Sequence, residues 1–126
     1  MVHRPDDEEK NAKARYAKIK SVPCPAFGGE AVAFNRSGIR HLIWKHGKPR
    51  LKSEQRRRFA LLRYAPAVVL NSKTVVSYRV QGRASFWLFQ GKHRGKTISV
   101  IVRQLKGGKK HFYSIFASNK NKKPPA

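Results

Sequence analysis

Acidic residues are scarce in this chain of 126 residues. Six Asp and Glu face 29 Lys and Arg, which gives a formal net charge of +23. Four of the six stand together at residues 6–9, and only Glu30 and Glu54 follow. A folded domain this one-sided repels itself, and such a charge is typical of proteins that bind a polyanion, most often nucleic acid. The same shortage disfavours a catalytic magnesium site, because such sites use clusters of Asp and Glu.

Cysteine and long apolar runs are scarce as well. Cys24 is the only cysteine, which excludes an internal disulfide and a zinc site built on cysteine pairs. The first residues lack the apolar stretch of a signal peptide, and no run of about 18 apolar residues predicts a membrane span. We therefore expect a protein that acts in the cytoplasm, its own or that of a target cell into which it is delivered, without contact to a membrane.

Enough apolar residues remain for one small folded domain. Hydrophobic residues make up 40% of the chain and aromatic residues 10%, which supports a modest core and argues against a disordered polycation. The pattern predicts three parts. Residues 1–29 form a charged N-terminal arm with a Pro/Gly-rich linker, residues 30–118 form the folded domain, and residues 119–126 form a disordered basic tail.

The first half of the domain has a helical pattern. After a short predicted strand at residues 30–34, residues 37–47 (SGIRHLIWKHG) place apolar side chains at helical spacing and end in Gly47. A second helix is predicted from Ser53, and Pro66 is expected to end it. Residues 67–70 (AVVL) are then expected to form a further short turn or strand.

The second half alternates with a period of two. Strands are predicted over residues 74–80, 84–90, 96–105 and 110–118. Each of the three short links between them contains glycine. Such links favour hairpins. The predicted fold class is therefore α+β, with N-terminal helices packed on a four-stranded antiparallel β-meander.

Two histidines on the predicted first helix are the leading candidates for chemistry. On a regular helix His41 and Lys45 share a face, and His46 lies about 140° around the axis from His41. Histidine is the usual general acid or base near neutral pH. The alternative is a polar helix face whose histidines are merely solvated.

Basic residues crowd the predicted sheet. Arg103 is the most informative, because it lies in the middle of an apolar strand, where a charge needs a reason. One interpretation is that its face of the sheet is a solvent-filled catalytic concavity. The alternative is that Arg103 is a hydrogen-bonded charge on an edge strand. Further cations lie at the strand ends and turns: Lys92, Arg94, Lys96, Lys110 and His111.

The last strand carries serines at alternate positions. Regular alternation places Lys110, Phe112, Ser114, Phe116 and Ser118 on one face, and His111, Tyr113, Ile115 and Ala117 on the other. Serine hydroxyls there can donate hydrogen bonds to a phosphate, or they simply tolerate the pleat. No Ser-His-Asp arrangement accompanies Ser114, so a nucleophilic serine hydrolase is not expected.

The segments IRHLIWKHG and KHFYSIFAS, in the order strand, His-bearing helix, second helix and meander, resemble the barnase–EndoU–colicin–RelE (BECR) superfamily of small ribonucleases. The nearest variety is the phage-associated and polymorphic-toxin branch, over residues 30–118. The resemblance implies cleavage of RNA without metal or other cofactor, with the 2′-hydroxyl as nucleophile and a 2′,3′-cyclic phosphate as product. It also implies two partners, a cellular RNA such as tRNA and an acidic immunity or antitoxin protein.

The resemblance also implies roles for individual residues. His41 matches the helix histidine and is the expected general base or acid, and His46 is its partner or structural. Sheet cations at Arg103, Lys96 and Lys92 stabilise the phosphorane, and His111 with Ser114 or Ser118 supplies a hydroxyl or second acid. Barnase-like members use a glutamate base, which neither Glu30 nor Glu54 is expected to replace. The residues expected to hold substrate are Lys45, Lys92, Arg94, Lys96, Lys110 and Ser118.

A second function remains open at this point. A non-catalytic RNA- or DNA-binding protein would share the basic surface and need no histidine. A DNA nuclease is less favoured, because carboxylates for a metal are lacking.

Overall fold

The computed structural model describes residues 5–119 of the chain. Its helices are α1 (Pro5–Ile19), α2 (Arg36–Ile43), α3 (Lys52–Leu61) and α4 (Ala65–Asn71). Its strands are β1 (Ser21–Pro23), β2 (Ala31–Ala33), β3 (Trp44–Lys45), β4 (Lys48–Pro49), β5 (Ser77–Gln81), β6 (Ala84–His93), β7 (Lys96–Leu105) and β8 (His111–Asn119). The α+β class is thereby confirmed. No helix in the described range is long and apolar enough to cross a membrane.

The main sheet is larger than the predicted meander. It has six strands in the order β1-β2-β8-β7-β6-β5, so the expected four-stranded meander β5–β8 is extended by two short strands. All neighbours are antiparallel except β2 and β8, which pair in parallel through Ala33 and His111. The addition rests on a backbone hydrogen bond of 2.9 Å from the Ala33 N–H to the Lys110 oxygen. Helices and short strands therefore interleave before the meander.

Part of the segment expected to form a charged arm and linker packs into the core. Tyr16, Val22 and Cys24 are buried, and α1 packs against α3. The Tyr16 hydroxyl donates a 2.6 Å hydrogen bond to the backbone oxygen of Asn35. In α1 the large apolar side chains stand singly between charges, so the packing of this helix leaves little trace in the periodicity. Residues 120–126, most of the expected basic tail, lie outside the described range.

The predicted helix over residues 37–47 ends early. Asn35 caps α2 by accepting the Ser37 N–H at 3.1 Å, and the helix stops at Ile43. His46 and Gly47 then both adopt positive φ, 53° and 77°, and connect β3 to β4. Two consecutive residues of this kind make a type I′ hairpin turn. His41 and His46 therefore do not share one helix, and their angular relation on a helix does not apply.

Pro66 begins a helix and does not end one. It lies in the first turn of α4, where a missing N–H costs nothing because the first N–H groups of a helix have no partner. Residues 67–70 are helical as a consequence, and the expected turn or strand there is wrong. Val68 and Val69 of this helix are buried in the core.

Strand β8 contains a bulge that changes its faces. Val102 pairs with Phe112 but Ile101 pairs with Ser114, so Tyr113 is an extra residue. Phe112 therefore shares the core face with Ile115, and both are fully buried. Regular alternation placed these two on opposite faces, and that prediction is wrong. After the bulge, Ser114 lies on the face of Ile101, away from the apolar core.

Candidate active site

Helix α2 approaches β8 closely, and this approach builds the site. Gly38 is buried, and its Cα lies against Phe112. A methyl group at Gly38 would stand 2.7 Å from the Phe112 backbone oxygen and 2.7 Å from the Tyr16 hydroxyl. Only glycine permits this spacing, which brings the next turn of α2, with His41, down onto the bulged part of β8.

The extra residue of the bulge meets that turn. The rings of His41 and Tyr113 stack with centroids 4.0 Å apart and planes 26° apart. The guanidinium carbon of Arg103 lies 4.5 Å from the centre of the same Tyr113 ring, a favourable cation–π distance. Phe86 meets Tyr113 edge-on at 5.4 Å. Tyr113 thus holds one imidazole and one guanidinium on the same ring.

Arg50 fixes the orientation of His41. The N–H of Arg50 donates to the Ile43 oxygen at 2.7 Å, which closes the β3–β4 hairpin and turns the Arg50 side chain inward, where it is buried. Its Nε donates to the His41 backbone oxygen at 3.0 Å, and Nη2 lies 3.2 Å from His41 Nε2. A guanidinium can only donate, so Nε2 accepts and the ring proton is on Nδ1.

These surroundings keep His41 neutral. Burial, first, and then the nearby charges of Arg50, Arg58 and Arg103 with the neighbouring His46 together lower the pKa of His41 from 6.5 to about 4. The imidazolium form is therefore nearly absent at neutral pH. His41 presents a neutral ring that donates from Nδ1.

His41 lies in a cleft of about 240 Å³. The cleft has no Asp or Glu among its lining residues, and its polar groups are imidazoles, guanidiniums and hydroxyls. The lining residues are Ser37, Arg40, His41, Trp44, His46, Gly47, Arg103 and Tyr113. The guanidiniums of Arg40 and Arg103 are its permanently charged groups, and guanidiniums form charge-assisted hydrogen bonds with phosphates.

His111 supports Arg103 from behind. The Nε of Arg103 donates to His111 Nε2 at 3.0 Å, and His111 Nδ1 lies 3.3 Å from the Lys109 oxygen. Because Nε2 accepts, Nδ1 carries the proton and donates to Lys109. Burial and the charge of Arg103 lower the pKa of His111. His111 is thus a buried neutral ring that orients Arg103, and it does not line the cleft.

Ser114 belongs to an internal polar network. Its hydroxyl is buried and accepts a 2.8 Å hydrogen bond from Arg58, which also donates to the Ile115 oxygen at 3.1 Å. Glu54 lies 3.1 Å from both Arg50 and Arg58, and the hydrogen bond from Arg58 lowers the pKa of that carboxyl. Ser114 therefore accepts a hydrogen bond from Arg58, and Glu54 offsets part of the positive charge of Arg50 and Arg58.

The predicted substrate-binding residues are scattered. Lys92, Arg94 and Lys96 lie at the turn between β6 and β7, and Lys96 is seven positions from Arg103 along β7, about 23 Å at about 3.3 Å per residue. Ser118 pairs with Thr97 at that same end of the sheet. These four residues are therefore too far from the cleft to contact a phosphate bound in it.

Two further predicted residues lie outside the cleft lining. Lys110 binds both oxygens of Glu30 at 3.0 and 3.1 Å and stands over the rings of Phe27 and Trp87. Lys45 is exposed on β3, beside the cleft but not among its lining residues. The structure thus brings together His41, His46, Arg103 and, behind them, His111.

Several residues of the site went unpredicted. The most consequential are Arg40, Trp44, Arg50, Arg58 and Tyr113. One signal existed for part of this set: His-Gly between Trp-Lys and Lys-Pro is compatible with a type I′ hairpin, and that hairpin positions both Trp44 and Arg50. The sequence carries no local signal for the bulge that exposes Tyr113.

Among the residues the structure describes, no three His, Cys, Asp or Glu side chains come close enough together to hold a metal ion. Comparisons with protein-family models, with curated proteins and with solved structures found no match for this chain.

Proposed function

We propose that this protein is an endoribonuclease that cleaves RNA without a metal ion, using the cleft between α2, the β3–β4 hairpin and β8. One observation carries the proposal: two imidazoles and two guanidiniums line a single cleft, and no carboxylate is among the described residues that line it. RNA supplies its own nucleophile, so an enzyme needs only proton transfer and charge stabilisation. The cleft contains residue types suited to both tasks.

The phosphate site consists of the cationic groups of the cleft. Arg103 is oriented by His111 and by the Tyr113 ring, and Arg40 is exposed on the last turn of α2. A scissile phosphate between them gains charge-assisted hydrogen bonds that strengthen as the phosphorane forms. The Nδ1–H of His41 supplies a further neutral donor.

His46 is the proton-transfer group in this proposal. It is exposed at the hairpin turn and, within residues 5–119, it makes no hydrogen bond. The 2′-hydroxyl proton passes to His46 as the 2′-oxygen bonds to phosphorus and the bond from phosphorus to the 5′-oxygen breaks. The departing 5′-oxygen takes a proton from solvent, and His46 later returns its own. The product carries a 2′,3′-cyclic phosphate.

His41 is less suited to that step as it is placed. Its Nε2 lone pair already accepts from Arg50, and its pKa of about 4 leaves little imidazolium to act as an acid. The proposal therefore assigns His41 a hydrogen-bonding role toward the phosphate, and it moves the base role predicted for His41 to His46.

The proposal includes a toxin-type setting. RNA such as tRNA is the substrate class, the cytoplasm is the place of action, and an acidic immunity or antitoxin protein restrains the enzyme in its producer. The net charge of +23 would speed association with an acidic partner through electrostatic steering.

A specific observation favours a second candidate function. His41 is hydrogen-bonded to Arg50 and its pKa is lowered. Both properties suit a histidine with a structural role as well as one with a catalytic role. A non-catalytic RNA-binding protein would use the same cationic cleft to hold a phosphate and would cleave nothing.

The deciding experiment is incubation of the protein with total RNA in excess EDTA, followed by analysis of the fragment ends. Fragments with a 2′,3′-cyclic phosphate and a 5′-hydroxyl are expected. Salt-dependent binding with no cleavage of any RNA would select the second candidate, and cleavage that EDTA abolishes would refute the metal-independent mechanism.

A further inference from the structure

Trp44 lines the cleft, and its ring is available for contact with a ligand. Its side chain is 42% exposed although tryptophan is the largest apolar residue, and it lines the cleft beside Arg40 and His46. Within the described part of the chain, no aromatic ring or cation packs on it. A partly exposed indole offers a flat apolar face on which a planar group can stack.

Backbone pairing fixes the segment that carries this indole. Trp44 pairs with Pro49 across the β3–β4 hairpin, and the hydrogen bond from the Arg50 N–H to the Ile43 oxygen fixes the hairpin to the end of α2. With the backbone fixed, only the two side-chain torsions of Trp44 remain to be ordered when a ligand stacks on the ring, which lowers the entropic cost of binding.

The other aromatic ring of the cleft is already occupied. Tyr113 is stacked by His41 and lies under the Arg103 guanidinium. Tyr78, the other strongly exposed aromatic residue, packs against Trp87 and lies outside the cleft lining. Trp44 is therefore the ring that remains for a planar group entering the cleft.

We propose that Trp44 is a nucleobase subsite, on which an unpaired base of RNA stacks while its phosphate meets Arg40 and Arg103. This inference rests on the proposed function and names its substrate class as single-stranded RNA, because a base within a duplex has no free face. Stacking accepts every base, so the subsite contributes affinity and position rather than strong sequence selectivity.

The test is a binding measurement that needs no cleavage. A 2′-O-methyl tetranucleotide lacks the nucleophile and cannot be cut, and a matched tetramer with abasic sugars keeps the phosphates without the bases. Wild type and Trp44→Ala are titrated with both. For the tetramer with bases, Trp44→Ala should bind about tenfold more weakly than wild type. For the abasic tetramer, the two proteins should bind equally.

Two further outcomes make the test decisive. Trp44→Phe keeps an aromatic face and should recover most of the lost affinity, and the exposed position makes misfolding an unimportant concern. Equal binding of the tetramer with bases by wild type and Trp44→Ala overturns the subsite. So does a loss of the same size on both tetramers, because it would show a contact that does not involve the base.

Failure of the nuclease proposal gives a different pattern. If the protein cleaves no RNA and the Trp44 effect still depends on the bases, the subsite belongs to an RNA-binding protein. If RNA is cleaved in EDTA and Trp44→Ala binds like wild type, the nuclease proposal stands and the subsite is wrong.

Discussion

Arg50 contacts His41 at two atoms: its Nε donates to the His41 backbone oxygen at 3.0 Å, and its Nη2 lies 3.2 Å from the His41 Nε2. Of the two histidines in the cleft, the one that the sequence marks most strongly is therefore the one that a neighbouring side chain orients. The other histidine, His46, lies at the hairpin turn and makes no hydrogen bond with any residue that the structure describes. This contrast separates a hydrogen-bonded neutral ring from the exposed histidine that we propose as the proton-transfer group, and substitutions can address each one separately.

Replacing His46 by Asn should remove cleavage and leave the fold intact. His46 has φ of 53°, a conformation that Asn adopts readily, and Asn-Gly is a preferred type I′ turn. Loss of the proton-transfer group should lower the rate by about 10²- to 10⁴-fold. The rate is measured on a labelled oligoribonucleotide in EDTA, and the thermal midpoint should stay the same or rise.

Retention of cleavage within a few-fold in His46→Asn would remove His46 from the mechanism. A rate loss accompanied by a lower thermal midpoint would instead indicate damage to the hairpin.

Acid should destabilise the protein through His41. Its pKa is 6.5 when unperturbed and about 4 in the fold, so the unfolded chain binds a proton between these values and the folded protein does not. The contribution to the free energy of unfolding is complete above pH 6.5 and falls as the pH drops toward 4. Chemical unfolding between pH 7 and pH 5 measures it; the lowered pKa of His111 acts in the same direction.

His41→Gln should flatten this pH dependence, because the titrating ring is gone. Ser37→Ala, an exposed substitution on the same helix, should leave it unchanged. An identical slope in wild type and His41→Gln would show that the folded state does not keep His41 neutral.

Gly38→Ala should destabilise the fold, against the usual trend for helices. Alanine is ordinarily better than glycine inside a helix by about 1 kcal/mol. Here the added methyl would meet the Phe112 oxygen and the Tyr16 hydroxyl, each at 2.7 Å, and such overpacking costs about 1–3 kcal/mol. Urea unfolding measures the change, with Ser37→Ala as the control beside it.

The sign of the change decides this case. A Gly38→Ala protein that is more stable than wild type, and binds RNA equally well, would contradict the close approach of α2 to β8. Lower stability with weaker RNA binding would connect that approach to the cleft.

The strands of the meander could be predicted, because alternating apolar residues and glycine-containing links are local signals. The end of α2 could not be predicted from Gly47, since the same glycine suits a helix end and a type I′ turn. The apolar character of Trp44 does not distinguish a longer helix from a hairpin either, because the Trp44 ring is partly exposed in the hairpin. The hairpin becomes evident only from the positive φ of His46 beside that of Gly47.

The cleft was predictable in residue type but not in geometry. His41, His46 and Arg103 were predicted and lie together, whereas Lys92, Arg94 and Lys96 lie at the far end of β7. Strand parity indicates which face a side chain occupies, but not how far along the sheet a helix will lie. That position is set by Gly38 against Phe112, a long-range contact with no local signal in the sequence.

The bulge at Tyr113 has a consequence for how the scaffold and its cleft relate. A strand lacking this one residue would retain the pairings of Phe112, Ser114 and Ile115 with β7, and the interior would be unchanged. It would lose only the ring shared by His41 and Arg103. The pairing that builds the sheet is thus independent of the ring that His41 and Arg103 share, so deletion of Tyr113 is expected to keep the scaffold and to disturb only the cleft.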